Sequence, residues 1–369
     1  MAETLGKKAY DILVVGGGPS GASAARAAAQ MGVEVLIIDR KQRIGVPVQC
    51  AEFVSQWVSR HASFSSASIQ QTIDAMLTHL PDGSVHEMKG PGYMLDRSHF
   101  DRELAVSAIR AGARILTGTK AAGLSAGDVL IKSGEGQATI KAKVVIGADG
   151  ARSAVARGIG LPHPRSVVAL QVETVLSSPQ KHAEVFFSPE YEGGYAWFFP
   201  KGKTANVGLG VSARKAFQLP RLLDLHLRCL MAEKGLSRFE VVGKTAGVIP
   251  CEVLGSAIRG KVMLVGDAAG HAHPVTGAGI FNAVLGGEIA GRIAAESVLK
   301  GDAAHLESYD AEWRRAFGDS LAYGALKRAF LEEHWSGPDH SFEDLIRKTW
   351  VGFREYYKDR RRGEPWNKE

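Results

Sequence analysis

Asp11-Ile-Leu-Val-Val-Gly-Gly-Gly-Pro-Ser-Gly21 reads as a buried strand running into a glycine-rich turn. The apolar run Ile12 to Val15 is short and β-branched, the pattern of a parallel strand covered on both faces. Gly16, Gly18 and Gly21 stand at GxGxxG spacing: the first serves the tight turn, the second lets backbone approach a pyrophosphate, and the third lets helix and strand pack closely. Ala22 to Met31 is nearly all alanine and predicts a helix that Gly32 stops. Val33 to Ile38 reads as a second strand ending at Asp39, about 20 residues past the last glycine, where an acid reaches the ribose hydroxyls. With the helix N-terminus facing the phosphates, Gly16, Gly18, Ser20, Gly21, Asp39 and Arg40 are the candidate dinucleotide-binding residues. Nothing in this stretch separates a flavin from a nicotinamide dinucleotide.

At 369 residues the chain exceeds an ordinary single domain, and 45% hydrophobic with 23% charged residues is globular composition. The net charge of +6 is modest, and much of it sits in Lys358-Asp-Arg-Arg-Arg362, a basic tail suited to an anionic lipid or an acidic partner if it is not simply solvated. No basic patch is interleaved with aromatics, which argues against nucleic acid. Cys50, Cys229 and Cys251 are odd in number and lack metal-ligand spacing, so neither a disulfide framework nor a metal site is expected, and a cytoplasmic location fits. Lys7-Lys8 precedes an apolar run, but Asp11 and the glycines interrupt it before any signal-peptide pattern forms. Glu288, Arg292 and Glu296 recur every four residues along Ala278 to Leu299, making that helix amphipathic and any membrane contact peripheral.

Farther along, the loop Gly45 to Glu52 is expected to lead into a helical segment from Phe53. Thr72 to Leu80 and Ser84 to Met88 flank the turn Pro81-Asp-Gly83 and predict a β-hairpin. Asp96 or Ser98 caps a helix to about Ala111 that buries Phe100, Leu104 and Ala108. Ala113 to Thr117 is a strand, polar hairpins follow, and Lys143 to Gly150 is another buried strand. From Val167 to Val211 aromatic-rich strands alternate, predicting an antiparallel sheet with the leucine-rich helix Leu219 to Lys234 packed on it. Lys261 to Asp267 resumes the parallel pattern, and the remainder is helical. The fold class is therefore α/β, a Rossmann-like cofactor domain (1–70, 93–165, 250–300) interleaved with an antiparallel substrate domain (71–92, 166–249) and followed by a helical region (301–369).

Gly266-Asp-Ala-Ala-Gly270 with Pro274-Val-Thr-Gly277-Ala-Gly279 places a carboxylate beside a helix N-terminus, where Asp267 meets a ribityl hydroxyl and the amides of Gly277 to Ile280 face an electron-rich ring edge. The GxGxxG turn, Gly147-Ala-Asp149-Gly150 with Arg152-Ser153, and Gly266-Asp267 in this order resemble the flavoprotein superfamily of the para-hydroxybenzoate hydroxylase fold, which implies bound FAD. Arg97 matches a position that often reaches the cofactor there, although a surface arginine at a helix start reads the same way. Within that superfamily, Pro47-Val-Gln-Cys50 and Tyr195-Ala-Trp197-Phe-Phe199-Pro200 with Gly208-Leu-Gly210 resemble the PxxC and YxWxFP…GxG motifs of the geranylgeranyl reductase family. The resemblance implies Cys50 near the flavin and Tyr195, Trp197 and Phe199 around a pocket for an apolar or lipid substrate.

Reducing an isolated C=C needs an apolar slot and a weak acid near the ring; Cys50 fits as that acid or as a redox partner, and equally as an inert buried thiol. The expected activity is FAD-dependent reduction of an isoprenoid or similar substrate. NADPH, ferredoxin or a quinol is the expected electron donor. The alternatives are a monooxygenase or halogenase of the same fold, which in the second case needs a lysine such as Lys41 or Lys89 in the substrate chamber, and a flavin-bearing electron carrier or maturation partner that docks a protein. His271 and His273 read as loop hydrogen-bond donors. Ala51-Glu-Phe-Val replaces the glycine-rich continuation expected after the family's cysteine.

Overall fold

The computed structural model describes residues 9–125, 128–234, 240–337 and 341–358. Lys7, Lys8 and the basic run Arg360 to Arg362 lie outside the described residues.

The opening stretch forms a strand over Ala9–Val15 whose last residues are fully sequestered, followed by a helix over Pro19–Ala29 with proline in its first turn. This strand is central to the first sheet, in the order Ile258–Arg259, Val262–Leu264, Gly136–Gly147, Ala9–Val15, Val35–Ile38, Arg114–Leu116. Along this path every join is parallel except the edge Ile258–Arg259 pairing, so the core strands read as unbroken valine, leucine and isoleucine. Gly136–Gly147 is one continuous strand: its first half completes the polar hairpins with Asp128–Ser133 and its second half enters the parallel sheet. Two helices cover one face of this sheet, Pro19–Ala29 and Ile280–Lys300, joined by an Arg26–Glu288 ion pair. On the longer helix Arg292 and Glu296 form the expected one-turn pair at 2.9 Å.

The second sheet runs Val241–Pro250, Ser166–Val175, Thr204–Ser212, Ala196–Lys201, Ala183–Phe186, Ile69–His79, Val85–Leu95, Phe53–Ser55. Two features differ from expectation. The sheet is antiparallel except where Ala183–Phe186 lies parallel to Ile69–His79. Hairpin turns dictate antiparallel direction within each half, whereas these two strands are separated by the returning cofactor domain, so no turn fixes their sense. Phe53 does not begin a helix. Phe53–Ser55 is an edge strand paired with Gly92–Met94, and a short 3-10 turn follows over Gln56–Arg60 with Ser55 as its cap, so a long-range pairing overrides local pattern.

Asp96 is the cap of the helix Arg97–Arg110, accepting from the His99 amide at 3.0 Å, and Phe100, Leu104 and Ala108 are buried as the spacing predicts. The helix Leu219–Lys234 packs Leu219, Leu222, Leu223 and Leu230 on one face of the second sheet. The C-terminal helices Asp319–His334 and Phe342–Thr349 bring Trp335, Trp350 and Phe353 against the other face, where Trp197 and Phe199 lie. Trp350 is fixed there by a 3.1 Å bond to the Thr78 hydroxyl.

Candidate functional site

The glycine turn is enforced by close packing. Gly16 has a φ of 106°, and a Cβ there would stand 2.3 Å from the Ala148 carbonyl oxygen. A Cβ on Gly21 would stand 1.9 Å from the Gly16 carbonyl oxygen, while one on Gly18 would meet nothing within 4 Å. The turn thus presses against the chain on two sides and is open on the third, at the helix N-terminus, which is the shape a pyrophosphate needs. Ser20 borders Gly266, where an added Cβ would lie 2.8 Å from the serine Oγ. The buried Asp39 accepts from the Gly17 and Lys41 amides, each at 2.7 Å, so its carboxylate braces the turn; Arg40 beside it is exposed. Asp149 accepts from the Ser153 hydroxyl at 2.5 Å and from the Ala154 amide at 2.7 Å, bracing the start of the short helix Ala154–Gly158, whose cap is Ser153.

At the other end of the groove, Asp267 follows the last parallel strand. Burial holds its carboxyl above the ordinary value, and the Arg97 guanidinium opposes that shift. No described residue hydrogen-bonds the Asp267 carboxylate, which leaves it as an acceptor for a ligand hydroxyl. Arg97 forks onto Asp101 at 2.8 and 3.0 Å, and its charge is felt by both Asp267 and Cys50. Arg97 is therefore a largely covered cation whose charge reaches both the GD loop and the Cys50 loop. Gly279 packs against Asp267, and the Tyr195 hydroxyl donates to the Thr276 carbonyl at 2.6 Å, tying the aromatic strand to the Gly277 to Gly279 turn.

Tyr195, Trp197, Ile249, Val275, Gly277 and Arg328 line a narrow cavity of about 30 Å³. Phe199 is not among its walls; it packs behind, 6.3 Å from the Trp197 ring and 5.7 Å from Phe53. The cavity is apolar apart from Arg328, which donates to the Gly193 carbonyl and to Glu332, each at 2.6 Å.

Of the two loop histidines His273 is a donor, its Nε2–H facing the Tyr356 hydroxyl at 3.4 Å, and His271 is not. The His273 Nδ1 accepts from the Val275 and Thr276 amides at 3.3 Å. His271 is fully buried, with neither ring nitrogen hydrogen-bonded among the described residues, and packs 4.7 Å from the Trp313 ring. Burial lowers His271 to about 3 and His273 and His226 to about 4, against an ordinary value of 6.5. Between those values the unfolded chain binds more protons than the folded one, so stability is lost as pH falls through that window and levels off below it. The thermal midpoint is expected to fall steadily from about pH 6.5 to about pH 4, at up to roughly 1.4 kcal/mol per histidine per pH unit. A midpoint level across that window would contradict neutral burial of these rings.

Sequence reasoning missed the polar lock beneath Cys50. Glu52 is 2% exposed; its carboxylate accepts from Asn206 Nδ2 at 2.9 Å and from the Arg97 amide at 2.8 Å, and it pairs with Lys201. Gln171 donates to the Cys50 carbonyl at 2.9 Å and accepts from the Trp197 indole at 3.1 Å. The signal was present: Gln171 and Asn206 interrupt otherwise apolar strands, where a buried amide needs a specific partner. Cys50 is half-buried; burial raises its thiol above the ordinary value, with Arg97 and the Glu52 amide pulling the other way.

The chain is similar to known FAD-dependent proteins. A family described as FAD dependent oxidoreductase matches residues 11–161, and one described as FAD binding domain matches 91–322. The digeranylgeranylglycerophospholipid reductase of Methanosarcina acetivorans is 36% identical over 356 residues, covering 88% of this chain and 86% of that protein. Digeranylgeranylglycerophospholipid reductase 2 of Methanopyrus kandleri is 36% identical over 352 residues, covering 89% and 88%. Among solved structures, a geranylgeranyl bacteriochlorophyll reductase-like protein of Thermoplasma acidophilum superposes with a TM-score of 0.85 at 27% identity, over 94% of this chain and 92% of that one. A flavin-dependent brominase superposes with a TM-score of 0.73 at 16% identity, over 92% of each chain, a likeness of fold alone.

Proposed function

The chain belongs to the digeranylgeranylglycerophospholipid reductase family of FAD-dependent oxidoreductases, and from that premise we propose that it saturates C=C bonds of an isoprenoid chain carried on a lipid. The observation that carries the reading is the apolar cavity whose walls, Tyr195 and Trp197, meet Gly277 at the turn where the ring edge of FAD would rest. The acceptor carboxylate of Asp267 and the open side of the glycine turn fit the ribityl and pyrophosphate parts of that cofactor. FAD, when bound and reduced by an electron donor, would supply hydride to one alkene carbon.

The residues of the chain do the rest. Asp267 and the amides of the Gly277 turn hold the cofactor. Tyr195 fixes the Thr276 carbonyl and so the turn, and the aromatic strand with its C-terminal cover of Trp335, Trp350 and Phe353 excludes water. Cys50 keeps its proton near neutral pH, because burial outweighs the pull of Arg97, and delivers it to the second alkene carbon.

Cys50→Ser is expected to retain FAD and to slow product formation by roughly 100-fold, the span that general acids contribute. The measurement is the gain of a pair of hydrogens per double bond in a geranylgeranyl lipid by mass spectrometry. Wild-type rates would return Cys50 to packing. No observation favours a halogenase: the Lys41 ammonium donates to the Pro47 carbonyl at 3.0 Å, and Lys89 is exposed on the hairpin.

A further inference from the structure

Glu52 has a φ of 70°, the one non-glycine residue in the left-handed region among those described. A side chain there costs of order 1 kcal/mol, so its persistence points to a constraint from its surroundings. Those surroundings are complete. Every contact to the carboxylate comes from a different part of the fold: Lys201 and Asn206 from neighbouring strands of the second sheet, the Arg97 amide from the start of a helix in the cofactor domain. The Leu95 amide donates to the Glu52 carbonyl at 3.0 Å, and Asn206 also reaches the Ala51 carbonyl at 3.2 Å. In this twisted conformation the Glu52 amide points back and donates to the Cys50 sulfur at 3.2 Å.

We propose that Glu52 is a positioning residue for Cys50: its carboxylate, clamped by Lys201 and Asn206, holds the backbone in the left-handed turn that aims the Glu52 N–H at the sulfur. The proposal rests on the reading that Cys50 is the proton donor. Its function is geometric, since glycine would reach the same φ without strain yet leave the turn unclamped. The clamp also joins the cofactor loop to the strand that bears Trp197, through Gln171, so the thiol is registered against the cavity wall.

The test uses the FAD-loaded full chain with Glu52→Gly, which relieves the backbone strain while removing the clamp, and Glu52→Gln, whose single amide oxygen still serves the Arg97 amide while its NH2 faces Lys201 and Asn206, so that the clamp is loosened with the side chain kept. Expected for Glu52→Gly are unchanged FAD content, a kcat lowered roughly 10- to 100-fold with KM changed little, and an upward displacement of the pH midpoint of Cys50 alkylation, read on the Cys50 peptide by mass spectrometry, because losing the N–H donor to the sulfur outweighs losing the carboxylate charge that raises the thiol. Glu52→Gln, which loses the contacts of Asn206 and Lys201, should show a smaller fall in kcat. A wild-type alkylation midpoint in Glu52→Gly overturns the proposal whether or not kcat falls. If Glu52→Gly does not fold, a wild-type midpoint in Glu52→Gln together with wild-type kcat overturns it. Should Cys50→Ser turn over at the wild-type rate, the proton-donor reading fails, while the alkylation midpoint still decides whether Glu52 positions the sulfur.

Discussion

Asp267→Ala is expected to purify folded but nearly free of flavin. The carboxylate is held above its ordinary pKa by burial, receives no hydrogen bond from any described residue, and sits between the last parallel strand and the Gly277 turn. A hydrogen bond from a ligand hydroxyl to a charged acceptor contributes about 1.5–3 kcal/mol, so its loss weakens FAD binding by roughly 10- to 150-fold. Removing a carboxylate whose burial outweighs its attraction to Arg97 does not destabilise the flavin-free fold. Loss of flavin with an unchanged flavin-free thermal midpoint is therefore the signature, and Asp267→Asn, which keeps an acceptor, should retain part of the occupancy. Full occupancy in the alanine variant would remove Asp267 from the cofactor.

Gly291→Val is expected to have the largest effect on folding. A Cβ at Gly291 would stand 2.0 Å from the Ala24 carbonyl oxygen, and one at Gly287, a turn earlier, 2.3 Å from the Ser20 carbonyl oxygen. The helix Ile280–Lys300 thus lies backbone to backbone on the helix that follows the glycine turn. The clash is with main chain, which cannot rotate away, so the helices must part and carry the turn with them. Overpacking of this kind costs about 3 kcal/mol or more, against which a branched side chain offers no compensating contact. The variant should be recovered largely insoluble or with a midpoint lowered by several degrees, whereas Gly90→Ala, whose Cβ meets nothing within 4 Å, should behave as wild type. A Gly291→Val protein as stable as wild type would mean that the two helices do not touch as described.

What could be read ahead of the structure was local. The strand, turn and helix from Asp11 to Gly32 announce themselves because their periodicity, composition and glycine placement agree, and the hairpin around Pro81 to Gly83 does so through its turn residues. What could not be read depends on contacts across the chain. Phe53 pairs with Met94, and Ala183–Phe186 lies parallel to a strand more than a domain away, and neither partner has a trace in the local pattern. Within the candidate site, Asp267, Cys50, Tyr195 and Trp197 stand out by motif, but Phe199 turns to packing, and Asp39 and Asp149 spend carboxylate oxygens on bracing the chain. Glu52 was hidden because its partners Lys201, Asn206 and Arg97 come from distant segments. Only a left-handed φ at a non-glycine residue, invisible in sequence, marks it.

The measurement that bears most directly on the account is anaerobic. The flavin of the purified protein is reduced, a geranylgeranyl phospholipid is added without oxygen, and the absorbance of oxidised flavin is followed. The account predicts that the absorbance returns in step with saturation of the alkene, and that it does so in the wild type far faster than in Cys50→Ser. A flavin that stays reduced in the presence of the lipid and reoxidises only when air is admitted would contradict it.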